Sequence, residues 1–154
     1  MTNNCSVCKA LATNEYVIHS GTKWTVSLAK DQYWLGRSYV TLNSHKSALS
    51  ELSQNDWLSL AQVINKFESK LKKAYGPDLF NWSCLMNDAY QQHPYESSHV
   101  HWHVRPRYSK TINIDGVKFS DQEFGRHYKT RWDGRKDFEI SNSLMKKIQS
   151  QIEF

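Results

Sequence analysis

Apolar and polar positions alternate over two short stretches near the N-terminus, "ATNEYVIHSG" (12–21) and "TKWTVSLAK" (22–30). Their aromatic and β-branched bias predicts two strands, with Gly21 at the turn between them. After the turn-like "DQYWLG" (31–36), "RSYVTLN" (37–43) predicts a third. The period then changes. Ser53 with Asp56 three residues on makes a capping-box pattern, and Trp57, Leu60, Ala61, Ile64, Phe67, Leu71 and Ala74 recur at helical spacing until Gly76 and Pro77. That stripe predicts a core-packed helix over 53–75. "LFNWSCLMN" (79–87) predicts a strand with Phe80, Trp82, Cys84 and Met86 on one face, which makes Cys84 a small buried hydrophobe rather than a ligand or nucleophile. A polar loop, "DAYQQHPYESS" (88–98), leads into "HVHWHVRPRY" (99–108). Farther on, "DGV" (115–117) and "WDGRKD" (132–137) read as turns, and "SNSLMKKIQSQIEF" (141–154) as an amphipathic helix with Leu144, Ile148 and Ile152 on one side. With no internal repeat, the order describes one α+β domain over 1–154 with an antiparallel sheet.

Composition narrows the classes. Six tryptophans and eight tyrosines in 154 residues argue for a real core and against disorder. No apolar run approaches a membrane span, and the polar "TNNCS" start lacks a signal-peptide pattern, so the expectation is a cytoplasmic protein without membrane partners. Three cysteines, Cys5, Cys8 and Cys84, are too few for a disulfide framework, and the close Cys5–Cys8 pair suggests metal or redox work. The net charge of +5 is concentrated in 105–136, where nine Lys or Arg face four acids. That segment suits either a solvated basic surface or a polyanionic ligand; nucleic acid there is the less favoured partner.

Three of seven histidines, His99, His101 and His103, stand at alternate positions. On a strand they share one face, opposite Val100, Trp102 and Val104, and the apolar set facing the core leaves the histidines along an accessible surface. Alternate strand residues lie about 6.6–6.8 Å apart, which is awkward for three imidazoles on one zinc with Zn–N bonds of about 2.0–2.1 Å. The spacing suits a phosphate better, with one imidazole attacking phosphorus and the next bonding a non-bridging oxygen. Metal binding by the triad and a nucleotide- or RNA-binding module with little turnover remain the alternatives.

"HVHWHVRPRY" resembles the signature of the histidine-triad family, and "GRSYVTLNSHK", with Gly36 and His45, resembles that family's glycine, strand and histidine. The helix over 53–75 and the strand ending in "MNDA" follow in the family's order, so the resemblance covers about 5–108 and leaves 109–154 as a basic extension. The resemblance implies a sheet of about five strands with one long helix, a C-terminal helix, and commonly a homodimer. It implies a nucleotide hydrolase or transferase, diadenosine polyphosphate hydrolase-like, cleaving a nucleoside 5′-phosphoryl linkage in a dinucleoside polyphosphate, an adenylate or a phosphoramidate through a nucleotidyl-histidine. His101 would be the nucleophile, His103 the phosphate partner, and Asn87 a nucleotide contact. It also implies a structural zinc held by Cys5, Cys8, His45 and His99, as in bacterial relatives. The sequence departs from the pattern where the family carries a ribose-holding Asp, here about Ala29 with Asp31 nearby. It departs again before the triad, where Tyr95 and Glu96 replace the usual Gln and small hydroxyl residue.

Overall fold

Five strands form one antiparallel sheet in the order β1-β2-β3-β5-β4. They are β1 (Val17–Ser20), β2 (Trp24–Leu28), β3 (Ser38–Leu42), β4 (Leu79–Ser83) and β5 (His101–Arg107). The computed structural model describes residues 5–91, 93–127 and 136–154. The expected turn at 132–137 and the cations Lys129, Arg131 and Arg135 fall wholly or largely outside the described residues.

Strand parity decides what each face does. Thr25, Thr41 and His101 lie in register across β2, β3 and β5, as do Ser27, Tyr39, His103 and Ser83 across β2 to β4. These residues and their same-parity neighbours make one face polar. Trp24, Val26, Leu28, Val40, Leu42, Val100 and Val104 make the other face apolar and join the buried core.

Helix α2 (Gln54–Tyr75) covers the apolar face. Its start is the expected capping box, in which Ser53 accepts from the Asp56 N–H while the Asp56 carboxylate accepts from the Ser53 N–H. The buried stripe is Leu60, Val63, Phe67, Leu71 and Tyr75, with Ile64 and Ala74 at its margin. Val63 and Tyr75 take places expected for Trp57 and Ala61, both of which are exposed. The expected face was therefore rotated at its N-terminal end. Gly36, at φ 79°, lets β3 start under α2: a Cβ there would meet Leu71 Cδ2 at 2.6 Å. Helix α3 (Asn142–Ile152) packs Leu144, Met145, Ile148 and Ile152 into the same core.

Two expected boundaries move. The first strand spans only Val17–Ser20, because residues 12 and 13 end a helix, α1 (Ser6–Thr13), that was not anticipated. β4 stops at Ser83, and Met86 turns the chain at φ 54°. Cys84 is half-buried against the core, and burial pushes its thiol pKa up, as expected of an inert cysteine.

Beyond β5 the chain forms a hairpin, β6 (Ile112–Ile114) and β7 (Val117–Phe119), about the expected Asp115-Gly116 turn, both residues at positive φ. Arg107, 2% exposed, then anchors the following segment. Its guanidinium donates to both Asp121 carboxylate oxygens, to Asn81 Oδ1 and to the carbonyls of Glu123 and Arg126. Part of the basic excess is thus internal structure rather than ligand surface. Removing one member of a buried pair strands the other, so Asp121→Ala is expected to cost about 3–5 kcal/mol in chemical denaturation. A loss below about 1 kcal/mol would show the pair to be dispensable.

Candidate active site and metal centre

The polar side carries two adjacent constellations, one built on His99, which lies just before β5 because the expected histidine strand starts only at His101, and one on β5 itself. The first joins the Cys5-Cys8 pair to His45 and His99, whose ligand atoms all lie within 4.8 Å of one another. Cys5 caps α1, its sulfur accepting from the Cys8 N–H at 3.4 Å, so both thiols sit on the first turn of the helix. His45 follows β3. His99 is 1% exposed and donates from Nε2 to the Leu42 carbonyl at 2.7 Å, which turns the Nδ1 lone pair toward the thiols.

The four donors match a closed tetrahedral site. Zn–S bonds of about 2.3 Å and Zn–N bonds of about 2.0–2.1 Å place sulfur and nitrogen about 3.5–3.6 Å apart at the tetrahedral angle. Three of the four S–N separations are 3.3 Å (Cys8 to His99), 3.4 Å (Cys8 to His45) and 3.6 Å (Cys5 to His99). The cluster could therefore hold a metal ion, and its two thiols and two imidazoles are a donor set that suits zinc.

The second constellation is His101 with His103. His101 Nδ1 donates to the His99 carbonyl at 2.8 Å, which leaves the lone pair on Nε2. That Nε2 lies 3.2 Å from His103 Nε2, so His103 carries its proton on Nε2 and donates it to His101. Tyr39 packs edge-on against both rings, with centroids 6.3 Å and 5.1 Å away. The three histidines are thus not one set: His99 turns to the thiols, while the other two face each other. Nor do they line an open surface as expected, since His99 and His101 are 1% and 8% exposed. Helix α1 lies over that end of the sheet and covers them.

Burial, with the charges of His101, Arg105 and Arg37 added, pushes the His103 pKa from 6.5 down to about 3. A histidine that gains its proton at about 6.5 unfolded and only at about 3 folded stabilises the fold above pH 6.5, and that contribution is lost as pH falls toward 3. The difference in melting temperature between pH 7 and pH 5 should therefore be smaller in His103→Asn than in the wild type. An equal difference in both proteins would contradict the assignment.

A cavity of about 270 Å³ opens between α1, the sheet and a short 3₁₀ turn, Asn87–Tyr90, with all three triad histidines in its wall. Val7, Ala10, Leu11 and Met86 supply apolar lining, and Ser27, Thr41, Tyr39 and Asp88 supply polar groups. Asn87 itself is exposed, between Met86 and Asp88, which line the cavity.

The departures from the family pattern resolve differently. Asp31 is committed to structure, pairing with Arg37 and accepting from the N–H groups of Tyr33 and Phe138, and Ala29 is buried. Glu96 turns away from the triad: its carboxylate accepts from the Ser6 N–H at 2.9 Å, at the start of α1. That bond, then Lys9, holds its pKa below the usual carboxylate range. His93 is exposed beside Tyr95; His127 is exposed; His19 bonds and stacks on Phe154. None of the three reaches the cavity.

Sequence reasoning missed α1 and its part in the cavity. The signal was present, because Val7, Ala10 and Leu11 follow helical spacing directly after a cysteine able to cap. It also missed Arg37 and Arg105, which lie against Trp34 and carry no motif.

A five-stranded antiparallel sheet bearing an alternating histidine strand, backed by one long helix, defines the fold of the histidine-triad proteins, and this chain has that fold. Solved structures agree. A histidine triad protein from Sinorhizobium meliloti superimposes with a TM-score of 0.67 at 17% identity, over 94% of this chain and 91% of that one. A hypothetical histidine triad nucleotide-binding protein from Sulfolobus tokodaii gives a TM-score of 0.64 at 19% identity, over 96% and 89%. A zinc-bound histidine triad family protein from Mycobacterium smegmatis gives 0.56 at 18% identity, over 96% and 94%. No family model matches the sequence, and no curated protein matches it.

Proposed function

We propose that this protein is a nucleotide hydrolase or transferase that cleaves a nucleoside 5′-phosphoryl linkage through a covalent intermediate on His101. The observation that carries this reading is the His101 ring. Its tautomer is set by the Nδ1–H bond to the His99 carbonyl, which puts a lone pair on Nε2 in the cavity wall, where it accepts from the His103 Nε2–H until that donor turns to a phosphate oxygen. A neutral imidazole held in one orientation is a nucleophile without further activation.

In the reaction, Nε2 forms a bond to the α-phosphorus while the bond from phosphorus to the leaving group breaks. The His103 Nε2–H turns from His101 to a non-bridging phosphate oxygen and stabilises the charge that builds there. The cationic phosphoimidazole is steadied by the carbonyl at Nδ1. Water, or another acceptor, then displaces His101 from phosphorus. The apolar wall of α1 suits a base, and Ser27, Asp88 and the rim residue Asn87 suit the sugar and phosphate. Cys5, Cys8, His45 and His99 would hold zinc. With zinc bound, these residues would tie the start of α1 to the segment just before β5, and so fix the cavity wall and the nucleophile strand together.

Intact-mass spectrometry after brief exposure to a panel of nucleotide substrates tests the proposal. An added nucleotide monophosphate on the wild type, absent from His101→Ala, is the expected result and would also identify the base. An adduct that persists in the variant, or turnover with no adduct on any histidine, would refute it.

A further inference from the structure

Most surface helices are anchored by an apolar stripe packed into the core, and α1 is not. Its apolar side chains Val7, Ala10 and Leu11 line the cavity, and Cys8 is the one buried residue of the helix. Cys5, the N-cap, is 1% exposed. The start of α1 is therefore held by sulfur. Cys8 Sγ lies 3.3 Å from His99 Nδ1 and 3.4 Å from His45 Nδ1, and Cys5 Sγ lies 3.6 Å from His99 Nδ1. The same two thiols are also placed to react with each other. They stand three residues apart on one helical turn, where Cα atoms are about 5 Å apart, a span that a disulfide bridges. Their sulfurs lie within 4.8 Å of each other, and the Cys8 N–H already bonds the Cys5 sulfur at 3.4 Å. Cys84, half-buried against the core, lies outside this cluster.

We propose that Cys5 and Cys8 are a redox-sensitive pair, which a hydroperoxide converts into an intramolecular disulfide that dismantles the metal-binding cluster and releases the start of α1. One sulfur attacks hydrogen peroxide, the O–O bond breaks, and a sulfenic acid forms as water leaves. The second sulfur displaces the hydroxyl from that sulfenic acid, a second water leaves, and the S–S bond closes. Two thiols lose two electrons, the peroxide takes them up, and the thiol protons end in the two waters. An S–S bond of about 2.0 Å draws the sulfurs together and away from the imidazoles. His45 and His99 alone cannot complete a tetrahedral site. The buried His99 Nδ1 loses its sulfur partners, which removes the reason for α1 to stay against it. Because the inner side of α1 is cavity wall, oxidation loosens the cavity as well. The chemistry at His101 has no part in this step.

The test exposes the zinc-loaded full-length protein to hydrogen peroxide. It follows thiol state by alkylation and peptide mass mapping, zinc release with a chromogenic chelator, and amide hydrogen exchange in α1. The expected result is a Cys5–Cys8 disulfide lighter by two hydrogens, with one zinc ion released per disulfide. Exchange in α1 should quicken about tenfold or more, and dithiothreitol with zinc should reverse all three changes. Cys84→Ala should respond as the wild type does, and Cys5→Ser should form no disulfide. The metal-free protein should give the same disulfide faster, so mass and exchange decide the matter even if the cluster holds no zinc. Peroxide that leaves Cys5 and Cys8 as thiols, or carries them to sulfinic acids without a disulfide, would overturn the proposal. So would a disulfide that leaves exchange in α1 unchanged.

Discussion

Replacing His101 by alanine should abolish nucleotide turnover, with a loss on the order of 10⁴–10⁶-fold, while leaving the fold and the metal content unchanged. The size follows from the role: no other imidazole can take over. His103 lies on the same face but gives its Nε2 proton to His101, and its ring is packed against Tyr39. His99 is turned the other way, its Nε2 bonded to the Leu42 carbonyl and its Nδ1 facing sulfur. The fold should survive because the His101 side chain lies on the polar face, whereas Val100 and Val104, both 0% exposed, anchor the strand in the core. Steady-state kinetics with a released-mononucleotide assay, a thermal melt and metal analysis make the check. Activity within tenfold of the wild type would end the case for a covalent histidine, and loss of fold would show that the ring is a structural element.

The second large effect is expected from Cys8→Ala. Cys8 contacts both histidines of the cluster, at 3.3 Å and 3.4 Å, and also sits on the first turn of α1. Without it the remaining donors cannot close a tetrahedral site. The variant should lose its bound zinc and melt roughly 10 °C lower, since a structural zinc site contributes directly to folding free energy. A second consequence follows from where α1 lies. Its inner side lines the cavity, and apart from the cluster the start of the helix is held by the Ser6–Glu96 bond. Nucleotide affinity should therefore weaken with the metal site, while a slower adduct on His101 persists at high nucleotide. Chelation of the wild type should reproduce these changes, and chelation of the variant should add nothing. Full zinc content with an unchanged melt would exclude the cluster as a metal site; complete loss of the adduct in a folded variant would assign the metal a part in the chemistry.

The elements were legible where a local pattern carried them. The helix over 53–75 announced itself by its capping box and its stripe, and the hairpin turn by Asp115-Gly116. The face of α2 was read imperfectly because Trp57 looks like a core residue until the elements beneath are placed, and Val63 and Tyr75 are buried instead. α1 was missed because a spacing signal over eight residues is too short to stand alone, and the helix is held by contacts with Glu96 and His99, 90 to 94 positions away.

The sequence by itself determined the alternation of His99, His101 and His103 and the chemistry available to them, because a strand's two-residue period is a local property of the backbone. With the resemblance it carried, it also named the four residues, Cys5, Cys8, His45 and His99, that the fold gathers into one cluster. Only the tertiary structure decided the direction of each imidazole, since that depends on the carbonyls of Leu42 and His99 and on sulfurs from the other end of the chain. The same holds for Glu96, which caps α1 instead of meeting phosphate, and for Arg37 and Arg105, brought together against the Trp34 ring. Hydrogen-bond geometry and charge proximity belong to pairs of residues distant in sequence, and no local pattern records them.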